Sequence, residues 1–248
     1  MSKSDSAFLP VELLRTGAEE LDISLNDDQI GQFDCFARLL VDTNRTLNLT
    51  RITQPDQIVT GHYLDSLTCL AAINIKQGVR VIDVGAGAGF PGIPMKIARP
   101  DLDMTLMDSS AKKLKFIEDA ISELELSGAR TVHARAEDAG RDSDHREAYD
   151  IAIARALADM TILVEFCLPL VKVGGVFIAQ KSDASANEVD AARPLIGQLG
   201  GSIEKVRQIT IPKENIVRRL VVVRKHSPTP PQFPRPFSRI AKSKHDHG

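Results

Sequence analysis

The apolar positions of this chain follow two rhythms. As far as residue 73 the spacing is helical: Ile30, Phe33, Ala37, Leu40 and Val41 recur behind an Asn26/Asp27 start, and the pattern ends near Asn44. Phe36 lies off that stripe and is expected to cover a neighbouring helix. A loop holding NLTRIT (48–53) follows, and then a second helix from about Asp56 to Ala72, striped by Ile58, Leu64, Leu67, Leu70 and Ala71. His62 and Asp65 lie on that helix and are expected at its surface, near a cleft mouth. From residue 79 short apolar runs alternate with helical stretches. Strands are predicted at 79–84, 104–108, within 131–138, at 149–156 and at 175–181, with helices at 112–126, 157–171 and 184–199 between them. A closing pair of strands, SIEKVRQITI and RRLVVVRK, has no long helix between its members. Strands alternating with helices define an α/β fold with a mostly parallel sheet. Seven strands, an antiparallel last one and a helical N-terminal cap are expected. The boundaries expected are 1–75 for the cap (part of the same domain), 76–226 for the core and 227–248 for a proline-rich basic tail, unstructured or draped.

The centre of the pattern is VRVIDV followed by GAGAGFPG (85–92). A buried strand that feeds a glycine turn and then a helix is a ligand-binding opening of doubly wound domains. Gly87-x-Gly89-x-x-Gly92, with Asp108 about twenty residues on, also fits the dinucleotide pattern. Two residues argue against a pyrophosphate there. Asp83 is expected to place a carboxylate at the mouth of the turn, and Pro91 removes one backbone N–H donor. S-adenosylmethionine, which is cationic and carries no phosphate, suits such a turn better.

Composition narrows the picture further. The 248 residues with 43% hydrophobic content suffice for one sizeable core. Cys35, Cys69 and Cys167 are odd in number and far apart, as in a reduced, cytoplasmic protein. Neither a secretion signal nor a membrane span is expected. Charge is divided along the chain. From Lys213 onward nine Lys or Arg face only Glu214 and Asp246, a net of +7, against −9 over the remainder. A basic end on an acidic body suggests a polyanion touched at one edge. The Asp142, Asp144, His145, Glu147 group is read as a solvated charge run rather than a metal site.

Ligands of open parallel sheets sit beyond the carboxyl ends of the strands, so the residues where strands stop are the candidate site. These are Asp83, Gly85, Gly87 and Phe90 after the first strand, and Asp108 after the second, placed to accept hydrogen bonds from ribose hydroxyls or to cap the next helix. Ala136 and Glu137 follow the third strand, Arg155 ends the fourth and Lys181 the fifth.

The motifs NLT (48–50), His62 with Leu64-Asp65-Ser66, DVGAGAGFPGIP (83–94), DSSAKKLKFI (108–117), RAED (135–138) and ARA (154–156) occur in an order that resembles the bacterial small-subunit ribosomal RNA methyltransferase G family, also called glucose-inhibited division protein B. The resemblance covers roughly 20–225. It implies a Rossmann-like class I S-adenosylmethionine-dependent methyltransferase fold and methylation of N7 of one guanine in 16S ribosomal RNA, with the RNA or the small ribosomal subunit as partner and no metal. Carried over by motif, Gly85, Phe90, Ala136, Glu137 and Arg155 would bind the cofactor. Lys181-Ser182 stands where relatives often have Lys-Gly. Guanine N7 carries a lone pair and no proton, so no general base is expected. Arg155, Lys181, Arg235, Arg239 and Lys242 are the candidate RNA contacts. Two other readings remain at this level: an NAD(P)-dependent oxidoreductase on the same glycines, and a non-catalytic RNA-binding ribosome-assembly factor.

Overall fold

The structure, a computed structural model, describes residues 7–155 and 157–242. Ala156 of the 154–156 motif and the side chain of Lys242 lie outside the described residues. Seven strands form one sheet: β1 (Arg80–Val84), β2 (Asp103–Asp108), β3 (Ala129–His133), β4 (Tyr149–Arg155), β5 (Val171–Ser182), β6 (Gly201–Thr210) and β7 (Val217–Lys225). Their order is β3-β2-β1-β4-β5-β7-β6. The first five are parallel, and β7 inserts antiparallel to both β5 and β6.

Alternation along the strands sends neighbouring side chains to opposite layers. Val81 of β1, Leu106 of β2 and Ile153 of β4 join a core with α1 (Val11–Glu19), α2 (Asp27–Leu47), α5 (Gly92–Ala98) and α6 (Ala111–Glu123). Ile82, Met107 and Ala154 join a second core with α8 (Met160–Cys167) and α9 (Ala186–Gln198). The N-terminal helices are thus one covering layer of the sheet. α2 starts in a capping box, with Asn26 and Gln29 exchanging side-chain-to-backbone hydrogen bonds of 2.8 and 2.9 Å. It ends at Asn48 in the left-handed region (φ 48°), three residues beyond the sequence expectation plus one turn residue.

The stretch from 55 departs from the expected amphipathic helix. It comprises α3 (Pro55–Ile58), a π-helical segment Val59–Leu64 and α4 (Asp65–Leu67), followed by turns. It is buried nearly all round, so His62 and Asp65, expected at the surface, are inside at 8% and 2% exposure. A helix enclosed on every side does not show a clean polar face, and here its polar residues find partners inside. β5 also begins earlier than expected. Gly174 and Gly175 form an irregularity inside the strand, where a Cβ at Gly175 would meet Asp150 O at 2.5 Å. The helix expected over 157–171 is therefore confined to α8.

The residues after β7 are draped over the second core. Prolines offer no N–H, so the segment is held through its carbonyls. Arg146 donates to Thr229 O, Pro230 O, Phe233 O and Gly140 O, and Arg141 to Pro234 O. Glu147, expected in a solvated run, accepts from the Thr229 amide at 2.7 Å. A last helix, α10 (Phe237–Lys242), follows.

Candidate functional site

Two cavities open at the carboxyl ends of the parallel strands. The first, about 250 Å³, has Gly85 at the end of β1, Asp108 at the end of β2, and Ala136 and Glu137 in α7 (Ala136–Ala139). Leu157, Phe166 of α8 and Phe237 of α10 complete its apolar side. The second, about 360 Å³, has Asp65, Arg155, Gln180, Lys181 and Arg218 in its wall. Both lie at the end of β4, with residue 155 lining the second and residue 157 the first.

The glycine turn is closed on itself. The amides of Gly85 and Ala86 donate to Met107 O, and those of Gly89 and Phe90 to Ala86 O. Gly87 N donates to Asp108 Oδ2 at 2.9 Å, and Gly92 N to Asp83 Oδ2 at 2.8 Å. A phosphate-binding loop keeps such donors for its ligand; this one has assigned six of them internally. Gly85 is required on two counts. Its φ is +74°, and a Cβ would meet the Leu157 side chain at 2.7 Å.

Asp83 is not at the mouth of the turn, as the sequence reading had it. It is wholly buried beneath the loop, where desolvation pushes it up to about 7 against the lowering effect of the Gly92 N–H and Arg155. Alternation explains the difference: Asp83 shares the face of Val81, under the N-terminal helices. The carboxylates that do line the first cavity are those of Asp108 and Glu137. Asp108 also accepts from Ser110 N at 2.8 Å, so one side chain both lines the cavity and holds the entry to α6.

Phe90 lies outside both cavity walls. Its ring stacks on His62 at 4.3 Å and sits 5.2 Å from the Arg155 guanidinium. Burial, with Arg155 next, lowers His62 to about 3, so the ring is neutral; Thr50 Oγ1 lies 2.8 Å from its Nε2. Arg155, expected beside the cofactor, instead donates to Asp65 at 3.0 Å in the second cavity. Arg218 forks onto the same carboxylate at 2.8 and 3.2 Å, and Gln180 Nε2 donates to it at 2.8 Å. Lys181 binds Ala158 O at 2.9 Å and Glu188 at 2.6 Å, fixing the turn that carries Leu157. Arg235, expected to contact RNA, turns inward: its guanidinium and amide both bind the fully buried Glu165. Arg239 is exposed on α10.

Sequence reasoning missed Leu157, Phe166, Phe237 and Arg218. Only strand register identifies Arg218, which pairs with Ser182 next to Lys181. Phe237 carries no periodic signal in its proline-rich surroundings.

Fold and site together define a Rossmann-like domain of the class I S-adenosylmethionine-dependent methyltransferase type. Solved structures with this fold include the M. jannaschii protein TYW2 in complex with AdoMet, 13% identical, covering 65% of this chain and 74% of that one at a TM-score of 0.51. Another is the cyclase SpnF, 16% identical, covering 82% and 97% at a TM-score of 0.54. A cyclase on the same scaffold shows that the fold alone does not name the reaction. Sequence does so more closely. Residues 29–217 match the family described as rRNA small subunit methyltransferase G. The ribosomal RNA small subunit methyltransferase G of Pelotomaculum thermopropionicum is 43% identical over 224 residues, covering 90% of this chain and 94% of the relative. The chain belongs to the rRNA small subunit methyltransferase G family. Among the described residues no helix is long and apolar enough to cross a membrane.

Proposed function

We propose that this protein transfers a methyl group from S-adenosylmethionine to N7 of one guanine in 16S ribosomal RNA, in the cytoplasm. The observation that carries this, given the family, is the first cavity: the charged groups of Asp108, Glu137, Lys113 and Arg135 share its wall with Leu157, Phe166 and Phe237, and the turn that edges it spends six of its amides on internal hydrogen bonds. An adenosine derivative that is cationic at its other end fits that donor set. When bound, S-adenosylmethionine supplies an electrophilic methyl group on a sulfonium sulfur.

Everything else falls to the chain's own residues. Asp108 accepts from the ribose hydroxyls, and Gly85 leaves room at the end of β1. Guanine N7 offers an in-plane lone pair and no proton, so no side chain has to remove one. The neutral, enclosed His62 agrees with that. Positioning and exclusion of water remain as the protein's task. The second cavity receives the target nucleotide, with Arg155, Lys181 and Arg218 set around it as cationic contacts held in place by Asp65 and Glu188.

Titration calorimetry with S-adenosylmethionine and with NADH, followed by transfer of labelled methyl to small-subunit RNA, tests the proposal. Adenosylmethionine is expected to bind and to label the RNA. Binding of the dinucleotide alone would favour the oxidoreductase, and cofactor binding with no transfer would favour a non-catalytic assembly factor. Asp108→Ala is expected to weaken adenosylmethionine binding about ten- to a hundredfold, since a charge-assisted hydrogen bond is worth ~1.5–3 kcal/mol.

A further inference from the structure

The segment after β7 travels from one end of the sheet to the other. Lys225 closes β7 near the start of β5, where its Nζ donates to Leu168 O at 2.7 Å. Phe237 stands in the wall of the first cavity, beyond the opposite ends of the strands. Between them the chain is pinned by the Arg146 and Arg141 contacts to its carbonyls and by Arg235 on Glu165. Phe233 and Ile240, on either side of Phe237, are buried in the second core at 8% and 2% exposure. Phe237 itself is 47% exposed. An aromatic ring held outward between two buried anchors is not explained by core packing. Among the described residues its ring partner is Phe166, centroid to centroid 6.5 Å, which lines the same cavity.

We propose that this C-terminal strap is part of the cofactor site, with Phe237 and Phe166 forming the apolar wall against which the adenine ring rests. This rests on the adenosylmethionine reading above. A flat heteroaromatic ring suits this lining, in which the paired rings of Phe166 and Phe237 stand with Leu157, Ala134 and Ala136, and the polar groups of Asp108 and Glu137 are at hand for the rest of the nucleoside. The strap thereby couples an otherwise remote tail to ligand affinity, and Glu165 is a positioning residue that fixes it through Arg235.

The chain contains no tryptophan, which makes a direct test available. Phe237→Trp creates a single fluorophore at the cavity rim. Its emission is expected to change saturably on titration with S-adenosylmethionine, S-adenosylhomocysteine and 5′-methylthioadenosine, whose common part is 5′-thioadenosine. Phe237→Ala is expected to raise the Kd of all three by about three- to tenfold, the range of one aromatic stacking contact. Phe237→Tyr should restore it, and the ligand-free Tm should stay at the wild-type value. Unchanged Trp emission at saturating ligand, or a Phe237→Ala protein with wild-type Kd values, overturns the inference. So does an effect on RNA methylation with cofactor binding intact, which would make Phe237 an RNA contact. Failure of the wild-type protein to bind any of the three ligands would overturn the adenosylmethionine reading itself, and this inference with it.

Discussion

Two buried side chains with opposite titration behaviour both feel the charge of Arg155. His62, lowered to about 3, stays neutral where a free imidazole of pKa ~6.5 takes up a proton. Between those values the unfolded chain binds a proton that the folded chain refuses, so stability falls as pH drops through that window. Asp83, raised to about 7, works in reverse. Between its ordinary value of ~3.9 and about 7 the folded chain holds a proton that the unfolded chain lacks, so this contribution grows as pH drops. The two effects oppose each other over pH 4–6.5, roughly the overlap of their windows. Melting curves from pH 7 to 4.5 should separate them. Relative to wild type, the Tm of His62→Gln should improve as pH falls, and that of Asp83→Asn should worsen. Parallel curves would show that neither group titrates as its burial dictates. At this scale the sequence was an incomplete guide. The strand ends identified Gly85, Asp108, Ala136 and Glu137 correctly as neighbours, because ligand position follows from chain direction in a parallel sheet. It misplaced Asp83 and put His62 and Asp65 at the surface, although Asp65 does line the second cavity, because a polar residue inside an enclosed element looks the same in sequence as one on a surface.

Elements were legible wherever periodicity carried them. All seven strands, α2, α6 and α9 lie where alternating runs and helical stripes put them, within a few residues. The π-helical segment was not foreseen, and its polar face is hidden by packing on every side. The strap was expected as unstructured or draped, and it is draped, but what holds it was not foreseen. Its prolines and bases signal only an absence of regular structure, while the contacts that order it come from Arg141, Arg146 and Glu165, over 60 residues away in sequence. Arg146 holds four carbonyls in one fork, three of them on the strap. Arg146→Ala should therefore cost about 2 kcal/mol, the scale of hydrogen bonds from a charged group, and lower Tm by roughly 4–8 °C for a chain of this size. Hydrogen exchange should show the loss of protection concentrated in 226–240. Uniform loss across the sheet would mean that the strap is no separate unit.

Over the whole molecule, the division between a basic end and an acidic body has an internal explanation. Arg218 pairs with Asp65, Arg219 with Asp183, Arg224 with Glu204, Lys225 with Glu147, Arg235 with Glu165 and Lys213 with Glu20. Much of the excess charge of the end is thus met by the acids of the body, and the sequence balance overstates what is left for a polyanion. The partly exposed pairs hold their geometry weakly and can exchange partners; those around Asp65 and Glu165 are enclosed and cannot do so without leaving a buried charge unpaired. Among the described residues the bases that line the second cavity, Arg155, Lys181 and Arg218, are themselves paired, with Asp65 and Glu188. The most direct measurement is to incubate the purified protein with S-adenosylmethionine and small-subunit particles, or their naked 16S RNA, taken from cells lacking this gene, and to map N7-methylguanine by base-specific strand cleavage. One new N7-methylguanine in 16S RNA is predicted, absent without the cofactor. Methyl groups at another atom or in another RNA, or none from a protein that binds the cofactor, would contradict it.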